Sequence, residues 1–137
     1  MLNWRRLGRF ACSFTLLVGA VSWTRPSAAT KIACVGDSIT YGYNLSNPSQ
    51  QSWPAVLQTL VSSTDTVQNF GSSGCTLLKA GDKPYWSDPA YSASDAFKPE
   101  LVIVMLGTND AKPQNWSHKA DFASDYASLI SHYRTLG

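Results

Sequence analysis

The chain has 137 residues, enough for one domain and no more. Its formal charge of +2 is misleading: without residues 1–29, seven Lys/Arg stand against nine Asp/Glu, a balance of about −2. No basic stripe with interleaved aromatics and no His/Cys/Asp/Glu cluster at ligand spacing is present, so neither a nucleic-acid partner nor a metal is implied.

Residues 1–29 read as a secretory signal. Arg5, Arg6 and Arg9 make a positive start, residues 10–21 are mostly apolar, and Ser27, Ala28 and Ala29 supply small residues for a cut. The apolar part is short for a membrane span, which needs about 20 residues. An uncleaved anchor is the alternative. Cleavage implies a secreted or periplasmic protein in an oxidising compartment, with no stable membrane span, whose remaining cysteines are Cys34 and Cys75. Those two form one disulfide or remain buried thiols.

The mature chain, 30–137, opens with the apolar run Ile32-Ala33-Cys34-Val35, which reads as a buried strand over about 31–35 that ends at Gly36. Gly36 is expected to allow a sharp turn there. Asp37 and Ser38 follow, where open α/β sheets keep their sites. The plainer reading is that either residue caps a helix. A polar loop leads to Ser52, a candidate N-cap, and Trp53, Val56, Leu57, Leu60 and Val61 recur at the spacing of one helix face. Pro54 suits the first turn. Residues 66–70 form a second strand, with Val67 and Phe70 pointing to the core. A long stretch of irregular composition, through Pro89, follows the tight loop Gly71-Ser72-Ser73-Gly74; Tyr85 and Trp86 favour an ordered loop. A short helix at 90–97 precedes the branched apolar run 101–106, the pattern of a strand covered on both faces. Phe122, Tyr126, Leu129, Ile130 and Tyr133 mark the inner face of a last helix, with Gly137 as its cap. The order βαβαβα predicts an α/β fold with a doubly wound parallel sheet.

In such a sheet the three strand ends share one side. Gly36-Asp37-Ser38, Asn69 to Gly74 and Gly107-Thr108-Asn109-Asp110 therefore converge on one crevice. They offer a hydroxyl, a backbone N–H at a glycine and a side-chain amide. Acyl transfer from an ester requires that set: a nucleophile and donors for the oxyanion. The three blocks, in this order, resemble the GDSL, or SGNH, hydrolase superfamily with its flavodoxin-like fold. The resemblance covers 31–136. It implies Ser38 as nucleophile, with the Ser38 N–H, the Gly74 N–H and the Asn109 amide as oxyanion donors, and no cofactor.

The strings 77–86 and 109–116 further resemble exported bacterial carbohydrate esterases, acetylxylan or sialate O-acetylesterases among them. That implies removal of short acyl groups, acetyl above all, from a glycan or small ester. Asp37, Trp86 and Trp116 are the expected substrate-binding residues. The two tryptophans either stack on a sugar or only pack the loops down.

The family's Asp-x-x-His, which supplies the general base, is not in this chain. His118 and His132 are preceded three residues earlier by Asn115 and Leu129 and read as surface residues. Three βα units are present where the superfamily continues, so 30–137 is expected to be an N-terminal part of the hydrolase domain, inactive by itself. Two readings compete with an exported esterase. One is a non-catalytic carbohydrate-binding protein on the same scaffold. The other, a nucleotide-binding α/β domain, lacks any Gly-x-Gly-x-x-Gly or P-loop pattern.

Overall fold

The computed structural model describes residues 29–136. The expected signal peptide, except Ala29, and the capping role of Gly137 fall outside the described residues.

Three parallel strands form the sheet: β1 (Lys31–Gly36), β2 (Thr66–Gly71) and β3 (Leu101–Met105), in the order β2-β1-β3. The chain steps from β1 to one side, then crosses back to the other. A crevice is left between the ends of β1 and β3, where successive connections leave in opposite directions. Among the described residues six α-helices accompany the strands: α1 (Ser38–Tyr41), α2 (Pro48–Gln51), α3 (Trp53–Leu60), α4 (Pro89–Phe97), α5 (Pro113–Trp116) and α6 (Phe122–Arg134).

Alternation along the strands sorts the side chains. Ala33, Val35, Phe70, Val102 and Val104 share one face and pack with Tyr91 and Phe97 of α4 and with Leu129 and Tyr133 of α6. Cys75, Leu77 and Tyr85 from the long loop after β2 complete this core. Tyr85 is fully buried and donates its hydroxyl to the Phe70 carbonyl at 2.8 Å. The loop is thus ordered and part of the core, as its aromatics suggest. Cys34 and Cys75 are both buried free thiols. Burial pushes the Cys34 thiol up to about 12, and it also raises that of Cys75.

Gly36 differs from its expected role. Its φ is not positive. What it provides is room: a Cβ there would collide with Thr40 Oγ1 and stand 2.7 Å from the Met105 carbonyl. Helix α1 sits directly on the strand end because this residue has no side chain.

The face of α3 is also rotated from the periodic pattern. Leu60 is 76% exposed and Val56 is exposed, whereas Pro54 is fully buried. Gln58 points inward instead, accepting the Val67 N–H at 2.6 Å and donating to the Asp65 carbonyl at 3.0 Å. The helix packs against an edge strand, whose outward backbone groups require polar partners. Asn69 Oδ1 takes another outward N–H, that of Gly71, at 2.8 Å.

Strand β3 is not covered on both faces. It lies at the other edge, and Leu101 and Met105 are 48% and 46% exposed. Its outward backbone has no strand beside it among the described residues. Helix α6 matches the expected inner face at Leu129 and Tyr133, with Phe122, Tyr126 and Ile130 half-buried. Asp125, buried on the same helix, is an addition.

Gly36→Ala should destabilise the domain by about 1–3 kcal/mol, because the collision is partly with backbone that cannot give. Thermal unfolding followed by circular dichroism measures it; an unchanged midpoint would mean that α1 does not rest on this glycine.

Candidate active site

Ser38 is the first residue of α1, half-buried at the crevice between β1 and β3. Asp37 caps that helix: Oδ1 accepts the Ile39 N–H at 2.9 Å. Its other oxygen accepts Asn109 Nδ2 at 3.3 Å. The same amide nitrogen donates to the Cys75 carbonyl at 3.0 Å. Asn109 therefore joins the residue before Ser38 to the residue after Gly74. Its own carbonyl accepts Asn115 Nδ2 at 2.8 Å. The three motifs come together around one buried amide.

Gly74 has φ +86, in the left-handed region, while a Cβ there would meet nothing closer than Lys83 at 3.7 Å. Conformation, not space, asks for glycine. Among the described residues no acceptor takes the Gly74 N–H, nor that of Ser38.

The loop that carries Gly74 is held from several directions. Ser72 N–H continues the ladder to the Gly36 carbonyl at 2.9 Å, and the Cys75 N–H closes a turn on the Ser72 carbonyl at 3.2 Å. The Ser72 hydroxyl donates to Asp88 at 2.8 Å, and Lys83 donates to the Ser73 carbonyl at 2.8 Å. Lys83 also pairs with Asp88 at 3.4 Å. Burial pushes the Asp88 carboxyl up. The Ala90 N–H, the Ser72 hydroxyl, the Cys75 thiol and the Lys83 ammonium outweigh burial and hold it below the usual carboxylate range.

Residues 77–82 make few backbone pairs of their own. Their N–H groups go to side chains of the third βα unit. The fully buried Asp110 takes those of Leu77 and Leu78 at 2.9 and 2.7 Å. Asp125 takes that of Lys79 at 2.9 Å, and Asn115 that of Asp82 at 2.8 Å. Sequence reasoning did not single out Asn115 or Asp125. Asp125 had a signal: it stands three residues after Phe122 and four before Leu129, a carboxylate on an apolar stripe.

The expected substrate-binding residues fare differently. Asp37 is fully buried with both oxygens engaged, so in this structure it positions Ser38 and Asn109 and has no surface for a substrate. Trp86 donates Nε1 to the Leu77 carbonyl at 2.8 Å, packs against Tyr91 with ring centroids 5.7 Å apart, and carries Lys79 over its ring at 4.4 Å. It pins the loop down. Trp116 is 43% exposed and meets Phe122 edge-on at 5.9 Å, so it retains a free face.

Neither histidine completes a nucleophile–base pair. His132 Nε2 lies 2.9 Å from the Asp95 carboxylate. Asp95 is in the last turns of α4, whose Phe97 carbonyl accepts Lys31 Nζ at 3.3 Å. That places the pair near the start of β1. Ser38 stands beyond its other end, roughly 20 Å away at about 3.3 Å per residue. His118 is exposed, between α5 and the 3₁₀ turn Lys119–Asp121, with no carboxylate at ion-pair distance among the described residues. Among the described residues no three His, Cys, Asp or Glu side chains are grouped to hold a metal, and no helix is long and apolar enough to cross a membrane.

A parallel α/β sheet with a serine and unpartnered N–H groups at its switch point defines the class: an α/β protein whose candidate site lies at the carboxyl edge of its sheet. Residues 34–137 match the GDSL-like lipase/acylhydrolase family, and the chain belongs to that family. It is 40% identical over 106 residues to an acetylxylan esterase from Xylanibacter ruminicola; the match covers 77% of this chain and 22% of that protein. It is similar in structure to a carbohydrate acetylesterase family member from Sinorhizobium meliloti, with TM-score 0.57 and 24% identity over 74% of this chain and 52% of the other. A protein described as an arylesterase from Agrobacterium tumefaciens gives TM-score 0.57 and 26% identity, over 74% and 53%. The chain thus spans about half of each solved structure and about a fifth of the acetylxylan esterase.

Because the folded-state pKa of Asp88 is depressed, its contribution to stability is present above the unfolded carboxylate value, near pH 4, and is lost as pH falls through the lower folded value. Thermal stability of wild type and Asp88→Asn should differ at pH 6, and the gap should narrow below about pH 4. A gap independent of pH would show that the charge of Asp88 does not hold the loop.

Proposed function

We propose that this chain carries the nucleophile and oxyanion hole of a serine ester hydrolase that removes acetyl or other short acyl groups from carbohydrate. The observation that carries the reading is the pair of unpartnered backbone N–H groups, at Ser38 and Gly74, beside a serine at the switch point. Family membership and the name of the 40% identical relative support the same chemistry.

Ser38 Oγ attacks the ester carbonyl. Its proton passes to a base, and the carbonyl oxygen becomes an oxyanion. The N–H groups of Ser38 and Gly74 and the amide of Asn109 donate to that oxygen, each donor being worth about 10²–10³ in rate. In the resting site both hydrogens of the Asn109 amide are engaged. The bond to Asp37, 3.3 Å, is longer than the 3.0 Å bond to Cys75, and it is the one given up to the substrate. The sugar hydroxyl leaves with the proton, and water then releases the acid from Ser38.

The base and its orienting carboxylate come from outside residues 30–137, in a longer hydrolase domain. His132 is occupied at the far end of the sheet and His118 has no carboxylate partner, which supports this assignment. Export through residues 1–29 belongs to the same reading and rests on their sequence pattern.

A serine-directed phosphonate should label the complete enzyme at Ser38, and Ser38→Ala should abolish both labelling and turnover. Labelling elsewhere with activity retained in Ser38→Ala would overturn the assignment, and an absence of turnover on every acetylated glycan would favour a carbohydrate-binding role. In the same enzyme Asn109→Ala should lower kcat by about 10²–10³ with KM changed far less. A change confined to KM would make Asn109 a binding residue.

A further inference from the structure

We propose that Lys83 is a positioning residue for the oxyanion hole, acting through the peptide group between Ser73 and Gly74, an inference that rests on Gly74 being an oxyanion donor. Lys83 Nζ donates to the Ser73 carbonyl at 2.8 Å. That carbonyl and the Gly74 N–H belong to one peptide group. The group is trans, so the two point in opposite directions. The ammonium takes the carbonyl on one side. The N–H is left on the other, where no acceptor among the described residues meets it. Whatever holds the carbonyl therefore aims the donor.

The turn offers two directions for that donor. The Cys75 N–H closes on the Ser72 carbonyl at 3.2 Å, so Ser73 and Gly74 are the central residues of a β-turn. Gly74, third in the turn, has φ +86. That matches a type II turn, whereas a type I turn has φ of about −90° at the same position. The two types share their outer bond and differ by a rotation of the middle peptide. Here the middle peptide is Ser73–Gly74, and the rotation carries the Gly74 N–H to the opposite side of the loop. Glycine adopts either sign of φ about equally readily, so its own preference does not decide. The bond of the Ser73 carbonyl does, and among the described residues that bond is to Lys83. A charged donor on the carbonyl also polarises the peptide and strengthens the N–H at its other end.

Lys83 is itself fixed. Its carbonyl accepts the Thr76 N–H at 2.8 Å, and the Tyr85 N–H returns to the Thr76 carbonyl at 2.9 Å. Its backbone is thereby tied two residues beyond Gly74. The other hydrogens of the ammonium go to the Ser72 hydroxyl at 3.2 Å and to Asp88 at 3.4 Å. The side chain is half-exposed, so water competes for the carbonyl once the ammonium is gone. Removing it frees the peptide to rotate without deleting the donor.

The test uses the complete enzyme with p-nitrophenyl acetate as substrate. Lys83→Met keeps the apolar stem and removes the ammonium. It should lower kcat by about 10–100-fold, short of the loss for a donor deleted outright, with KM changed less than about twofold. That loss corresponds to a competent turn reduced to about 10–1% of molecules, so ¹⁵N relaxation dispersion should show exchange at the Gly74 amide in Lys83→Met and none in wild type. Lys83→Arg, which keeps a charged donor, should recover most of kcat and remove the exchange. A kcat for Lys83→Met within about twofold of wild type, a change confined to KM, a loss shared in full by Lys83→Arg, or a Gly74 amide without exchange in Lys83→Met would each overturn the role. Phosphonate labelling of the wild type separates the two failures. Labelling at Ser38 with turnover, beside an indifferent Lys83→Met, rejects the positioning role alone. Absence of labelling and turnover rejects the esterase reading, and the exchange at Gly74 still decides whether Lys83 holds the turn.

Discussion

One side-chain amide holds the candidate site together. Asn109 donates to the carboxylate of Asp37 and to the carbonyl of Cys75, and so fixes the positions of Ser38 and Gly74 relative to each other. A parallel sheet brings its strand ends to one side but leaves the loops beyond them undetermined. Here the distance between the serine and the glycine loop is set by a bridge with one charged acceptor. Bonds to charged groups are worth about 1.5–3 kcal/mol, above the value for neutral pairs. The bridge is nearly buried, so water competes weakly for it.

Around that bridge, side chains replace regular secondary structure. The loop from Cys75 to Lys83 is buried over its first four residues, Cys75 to Leu78, where backbone groups need partners, yet it forms neither helix nor a second ladder beyond one isolated bridge at Thr76 and Pro84. Asp110, Asn115 and Asp125 provide those partners from the third βα unit. No buried side-chain nitrogen or oxygen among the described residues lacks a hydrogen bond. The position of the loop after Gly74 thus depends on carboxylates far from it in sequence. A substitution at Asp110 acts on this loop through the Leu77 and Leu78 N–H groups.

The sequence was legible where one period dominates. Residues 32–35 and 101–106 are apolar runs of strand length, and both fall in strands of a parallel sheet. The three polar motifs stood out because each follows such a run. Legibility failed where a residue satisfies backbone rather than core. Gln58 turned inward and rotated α3 away from its apolar pattern, since an edge strand needed an acceptor. Asp125 broke an apolar stripe because a neighbouring loop needed one too. Asp37 was expected at the substrate, but its cap and its bond to Asn109 bury it. Coverage of β3 was overestimated for a different reason: composition records what a strand can tolerate on its faces, not which neighbours are present.

The two sheet edges are chemically unequal. Along β2, the outward N–H groups of Val67 and Gly71 are taken by Gln58 and Asn69. Along β3 nothing among the described residues occupies the outward groups, and apolar side chains flank them. A filament needs two adhesive edges per molecule, so that each unit added exposes a new one. The small polar bonds made by Gln58 and Asn69 withhold two of the β2 groups that such a chain of molecules would use.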